Sequence, residues 1–209
     1  MRQLNLKDEG ELITINYWKD VKKDIDNMLF SSWDIMLLIH NSSEFKDMLD
    51  FFNKLPFSRK ILYISLSRTF ESINPYVKPP YFKKLTKIYV VDCVSSLLFK
   101  ERKNKECFYE EPPSNFKELA RLIDKYLLKL NPDLVILDSL KQFVDFSIEF
   151  STTNSKIWFA FLNYLRNRSE SSRKFILLYD GSPPRIIPRT NIDMILKLEV
   201  VREYIPWKD

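Results

Sequence analysis

Apolar residues in this chain gather in short unbroken runs at wide spacing. Residues 35–39 (IMLLI), 61–66 (ILYISL), 88–91 (IYVV), 134–137 (LVIL), 175–179 (FILLY) and 194–198 (MILKL) are each of strand length and rich in Ile, Leu and Val. Continuous runs, rather than apolar–polar alternation, are what a parallel sheet covered on both faces requires. Between the runs the period changes to three and four residues. In 115–130, Phe116, Leu119, Ala120, Ile123, Leu127 and Leu130 recur on one face, Asn115 and Glu118 stand at capping-box spacing, and Asn131 with Pro132 ends the helix. A second helix fits 42–53, with Phe45, Met48, Leu49 and Phe52 on one side and Asn41 and Glu44 at its start. A third fits 155–168, carrying Trp158, Phe159, Phe161, Leu162 and Leu165. Strand and helix in repeated alternation predict an α/β fold, a three-layer α/β/α sandwich with a mostly parallel central sheet and right-handed crossovers.

Two segments break the alternation. Residues 74–84 (NPYVKPPYFKK) hold three prolines and three aromatics, and 100–113 (KERKNKECFYEEPP) turn from basic to acidic before a double proline. Both read as surface loops. The first 30 residues fit an N-terminal extension or an added edge strand at 11–18. With no repeat and no linker-like tract, residues 1–209 read as one domain.

Composition narrows the chemistry. The chain has 33 Lys plus Arg against 28 Asp plus Glu, a net +5, and is 45% hydrophobic, which places it among folded globular domains. Its only glycines are Gly10 and Gly181, and a phosphate-cradling loop needs several, so neither a P-loop nor a dinucleotide fingerprint is present. Cys93 and Cys107 are too few for a disulfide framework, and no leader or long apolar span is visible. A cytoplasmic protein that does not enter membranes is expected. The positive balance permits nucleic-acid contact, but the signs are mixed along the chain, as on an ordinary solvated surface.

Three groups of residues carry candidate chemistry. Asp92, Asp138 and Asp180 each follow an apolar run, so the carboxyl edge of one sheet would gather three carboxylates able to hold magnesium for phosphate-ester hydrolysis. That makes a magnesium-dependent phosphoesterase or nuclease the catalytic alternative, although none of these runs ends in paired acids. Tyr76, Tyr81 and Phe82 beside Lys83, Lys84 and Lys87 combine aromatic and basic character, fitting a nucleic-acid contact or a rigid loop that docks on a protein. Arg166, Arg168, Arg173 and Lys174 form a second basic stretch, at a helix end where positive charge is favourable anyway. The single histidine, His40, stands just past the first run, either as a ligand or acid–base group or as a capping loop residue. With no second histidine and no GxSxG segment the loop role is expected. His40, Cys93 and Cys107 have no metal-site spacing, and Cys93 reads as core.

Residues 131–140, NPDLVILDSL, resemble the Walker B strand of the RecA superfamily, in particular its archaeal KaiC-like branch, many of whose members are reduced and inactivated. In that strand a carboxylate at the C-terminal end holds magnesium or its water beside a triphosphate, and the resemblance gives that place to Asp138, followed by Ser139. Residues 61–68 (ILYISLSR), 87–95 (KIYVVDCVS) and the helix end 163–168 before FILLYDG resemble the family's neighbouring elements in the same order, over residues 33–199. The resemblance implies a RecA-like P-loop NTPase topology. Its chemistry is missing, however. Where the family places Walker A, this chain has His40, Asn41, Ser42, Ser43, Glu44, Phe45 and Lys46. There is no glycine, Lys46 falls inside the helix, and Glu44 puts negative charge at the helix start. Where active relatives end the second strand with the glutamate that orients water stand Ser67 and Arg68, neither able to act as a base; Glu71 lies three residues on.

The reading is therefore a catalytically inactive RecA/KaiC-like domain, without a cofactor, serving as a protein-interaction or regulatory module. Its partner would be another protein or a further copy of itself. A nucleic-acid-binding accessory role related to recombinases is a further alternative. The turn 39–45 is expected to be short and capped by Asn41, Ser42, Ser43 and Glu44, leaving no triphosphate pocket beside Asp138.

Overall fold

The computed structural model of the protein describes residues 33–41, 60–77, 86–98, 106–146, 151–169, 173–181 and 191–197, all within the compact unit Trp33–Asp209. The strand expected at 11–18, the helix expected at 42–53 and the capped turn at Ser42, Ser43, Glu44 and Lys46 lie outside these residues, as do Tyr81, Phe82, Lys83 and Lys84.

Seven strands form one sheet among the described residues. They are β1 (Ile35–His40), β2 (Lys60–Ser65), β3 (Lys87–Asp92), β4 (Cys107–Tyr109), β5 (Leu134–Asp138), β6 (Lys174–Asp180) and β7 (Met194–Lys197). Their order across the sheet is β4-β3-β2-β5-β6-β1-β7, and every pairing is parallel. The described helices are α1 (Phe70–Ile73), α2 (Ser95–Leu98), α3 (Phe116–Leu130) and α4 (Thr152–Ser169), with a 3₁₀ turn at Leu140–Gln142. This is the three-layer α/β/α, RecA-like Rossmann-type arrangement that the sequence predicts.

The unbroken apolar runs have a direct cause. Ile35, Leu37, Leu62, Ile64, Val135, Leu137, Phe175 and Leu177 point to one face, where Leu119, Ile123 and Leu127 of α3 and Trp158, Phe161 and Leu165 of α4 cover them. The alternate residues Met36, Leu38, Tyr63, Ile136, Ile176 and Leu178 are buried too. With both faces removed from water, neither register of a strand tolerates a polar side chain until the strand ends.

Local signals account for the helix boundaries. The Asn115 side chain accepts from the Glu118 amide at 3.0 Å, while the Glu118 carboxylate turns back to the amide and hydroxyl of Ser114 at 2.8 and 2.6 Å. The reciprocal half of the capping box thus falls one residue earlier than its usual form. At the other end Asn131 takes φ 44°, the left-handed conformation that Asn tolerates, and its amide reaches the Leu127 carbonyl. One expectation needs correcting: within the loop predicted at 100–113, Cys107–Tyr109 forms edge strand β4 beside β3. Three residues are too short to show a period, and the strand is held by packing, with the Phe108 and Tyr126 rings 5.1 Å apart.

The N-terminal sheet edge is clamped by one arginine. Arg166 of α4 reaches Asp34 at 2.9 Å and Asp193 at 2.7 Å, and Asp193 accepts from the amides of Asp34 and Ile35. The second basic stretch of the sequence is thus structural at this residue. Arg168 pairs with Asp124 at 2.8 Å, and Arg173 caps the carbonyls of Pro132 and Arg168.

Candidate functional site at the carboxyl edge of the sheet

Parallel strands bring their C-terminal ends to one edge, and there the polar residues of this chain collect. β2 lies between β3 and β5 in register, so Asp92, Ser65 and Asp138 form one row across three strands. β6 lies on the other side of β5, and its Asp180 pairs with His40 of β1. The sheet order thus puts β6 between the first strand and the strand that ends in Asp138.

Asp138 has no solvent exposure. Its Oδ2 accepts from the Tyr63 hydroxyl at 2.5 Å, and its Oδ1 receives a long contact from the Ser67 hydroxyl at 3.4 Å. Tyr63 sits two residues before Ser65 and on the same face of the sheet, which is why it reaches Asp138 across the register. The Arg68 guanidinium approaches with Nε 3.5 Å from Asp138 Oδ2 and Nη2 3.8 Å from Asp180 Oδ2. Burial pushes the Asp138 carboxyl above the ordinary range, against the opposing pull of Tyr63, Arg68, His40 and Ser67. Burial, followed by the neighbouring carboxylate, drives the Tyr63 hydroxyl well upward, so it stays a donor.

Ser139, joined to Asp138 by a cis peptide, has a framework role. Its hydroxyl accepts from the amides of Lys141 and Asp180 at 3.3 and 3.2 Å, tying the 3₁₀ turn to the end of β6. His40 ends β1 as a buried strand residue and not as an open loop residue. Its Nδ1 lies 3.2 Å from the Asn41 carbonyl, and its Nε2 is buried without a partner.

The three-carboxylate cluster is not assembled. Asp92 is fully engaged as a structural acceptor, taking the Phe70 amide at 2.6 Å, the Val94 and Ser95 amides at 2.8 Å and the Ser95 hydroxyl at 2.6 Å. Two strand spacings separate its place in the row from that of Asp138, about 10 Å, whereas an ion's oxygen ligands stand at about 2.0–2.6 Å. Among the described residues no group of three His, Cys, Asp or Glu is arranged to hold a metal ion. Cys93 and Cys107 are free and buried. Lys87 stands exposed at the opposite end of β3, its Nζ 5.0 Å from the centre of the Tyr89 ring, and Tyr76 follows α1 with its amide on the Ile73 carbonyl. No helix of the described residues is long and apolar enough to cross a membrane.

Sequence reasoning singled out Asp138, Ser67 and Arg68 but missed Tyr63 and Ser65. Both lie inside an apolar run, and only the pairing of β2 with β5 reveals that one of them faces a carboxylate. No protein-family model matches the chain, and the search of curated proteins found no match.

Proposed function

We propose that this chain is a catalytically inactive RecA/KaiC-like domain that acts as a protein-interaction or regulatory module, its partner a protein or a second copy of the chain. The observation that carries the reading is the enclosure of Asp138. A Walker B carboxylate works on a magnesium ion that keeps several of its waters, so it needs lone pairs open to a hydrated ion. Asp138 has no exposed surface, and the donors against it come from Tyr63, Ser67 and Arg68 of its own chain. The sequence supports the same reading. With two glycines there is no loop to cradle phosphates, and Ser67 and Arg68 occupy the place of the base. A cytoplasmic location belongs to this proposal.

Calorimetric titration of the full chain with ATP and magnesium tests it. The expected result is no saturable heat, and micromolar binding overturns the reading. Capture from the native host with the tagged chain then identifies the partner.

A further inference from the structure

The exposed side of α3 works against the stability of the helix that carries it. Lys117, Arg121, Lys125 and Lys129 stand exposed at successive intervals of four residues, making like-charge pairs along the whole row, and each such pair destabilises a helix. Lys117 also lies in the first turn, where the macrodipole disfavours a cation; only the basic residues near the C-terminus suit it. The nearby acids are committed elsewhere. Glu118 is bonded to Ser114, and Asp124 is held by Tyr164 and Arg168 of α4. Glu110 takes Lys125 at 2.5 Å, but among the described residues Lys117, Arg121 and Lys129 form no ion pair. Lys129 is instead propped over the Phe108 ring, 4.2 Å from its centre. Among these cations stands Leu128, 89% exposed, about three turns after Lys117 and so on the same side of the helix.

We propose that this ridge of α3 is a docking surface for an acidic segment of a partner protein, one that carries carboxylates about 6 Å apart and an apolar side chain to cover Leu128. The assignment rests on the reading of the chain as a protein-interaction module, to which it adds a surface and a partner chemistry. Four helical residues rise about 6 Å, and an extended peptide presents alternate side chains about every 6.5–7 Å, so acids at every second position meet the row of cations one for one. Carboxylates arriving there relieve the repulsion between the cations, which makes an arrangement unfavourable in the free helix favourable in the complex. Leu128 distinguishes a protein from a nucleic acid as the occupant. A phosphate backbone has no apolar group to cover it, whereas a peptide residue beside the acids removes its surface from water.

The test is fluorescence anisotropy with the full chain and a labelled peptide of about 12 residues, with Glu at every second position, one Leu and Ser elsewhere. Saturable binding below about 1 mM is expected, weakening as salt is raised from about 0.05 to about 0.5 M. The same peptide with Gln in place of Glu is expected not to bind. Lys117→Gln together with Arg121→Gln is expected to weaken binding about fivefold. Leu128→Ser is also expected to weaken it about fivefold, with circular dichroism as the check that these exposed substitutions leave the fold intact. Arg121→Glu turns two repulsive pairs into attractive ones, so it is expected to raise the melting temperature by about 1–4 °C while weakening binding about tenfold or more. The proposal is overturned if the acidic peptide does not saturate, if the Gln peptide binds as well, if the variants leave affinity unchanged, or if Arg121→Glu lowers the melting temperature. Tighter binding of oligothymidylate than of the peptide overturns it too, by making the ridge a nucleic-acid contact. ATP binding by wild type would overturn the proposed function and leave these results standing, while a ridge that takes no peptide would leave the ATP titration unchanged, so the two failures are distinct.

Discussion

The Ser65 hydroxyl accepts from the Arg68 amide at 3.2 Å and donates to the Arg68 carbonyl at 2.5 Å, closing the turn that leads out of β2. A single buried side chain therefore fixes both ends of the residue whose guanidinium faces Asp138 and Asp180.

Ser65→Ala removes both bonds to the Arg68 backbone. The expected loss is about 1–2 kcal/mol by urea denaturation. Because the serine also positions Arg68, its effect and that of Arg68→Ala should be less than additive, and strict additivity would show that the turn does not position the guanidinium.

Asp138 gives stability a distinctive pH dependence. Its pKa is raised in the folded state, chiefly by burial, so the folded chain binds more protons than the unfolded one between the ordinary Asp value of about 3.9 and the raised value. Stability then falls as pH rises through that window. The stability of wild type relative to Asp138→Asn is expected to increase as pH is lowered from neutral towards about 4. A flat difference across that range would contradict the assignment. Asp193 acts in the opposite sense. Burial pushes its carboxyl up, but Arg166 and the amides of Ile35 and Asp34 prevail and hold it below the usual range. Its contribution is present above the ordinary Asp value and is lost only as pH falls below it.

Asp92 should prove structural. Asp92→Ala deprives three amides and a hydroxyl of their acceptor at the junction of β3, α1 and α2, and a loss of roughly 3–5 kcal/mol is expected from calorimetric or denaturant unfolding. A loss under about 1 kcal/mol would mean that water replaces the carboxylate.

Both thiols should be silent in the folded protein. Burial pushes the Cys107 thiol up to about 12 and carries Cys93 higher still, so neither forms thiolate at neutral pH. Labelling with an aromatic disulfide reagent is expected to follow global unfolding, and rapid labelling of either cysteine under native conditions would count against the packing of β3 against β4.

Much of this architecture was readable in the residues, for a physical reason. Strands buried on both faces must be apolar throughout, so six of the seven declared themselves as runs, and Asn115 and Asn131 marked the ends of α3 because capping is a local interaction. The short strand β4 and the helices α1 and α2 did not, since three or four residues carry no period. At the site, Asp138 was visible as the acid that ends a run, and Arg68 as a basic residue just past the end of another. Their meeting was not visible, because it depends on β2 lying beside β5 and β6 beyond it, which is a property of the whole sheet. Asp92 and Asp138 looked alike in sequence for the same reason: each ends an apolar run, and only the contacts show that one is a buried scaffold group and the other faces an arginine.

The place of β1 in the sheet also governs when the protein can fold during its own synthesis. β1 is the first described strand to leave the ribosome, yet its two neighbours, β6 and β7, are the last. Until residues beyond 173 have emerged, IMLLIH has no hydrogen-bonding neighbour from this sheet and remains an unpaired apolar segment, a species prone to association. A nascent chain stalled before β6 should therefore hold β2, β3 and β5 ready to pair while its first strand stays available to chaperones, and the final two strands lock the sheet in a late, largely non-local step.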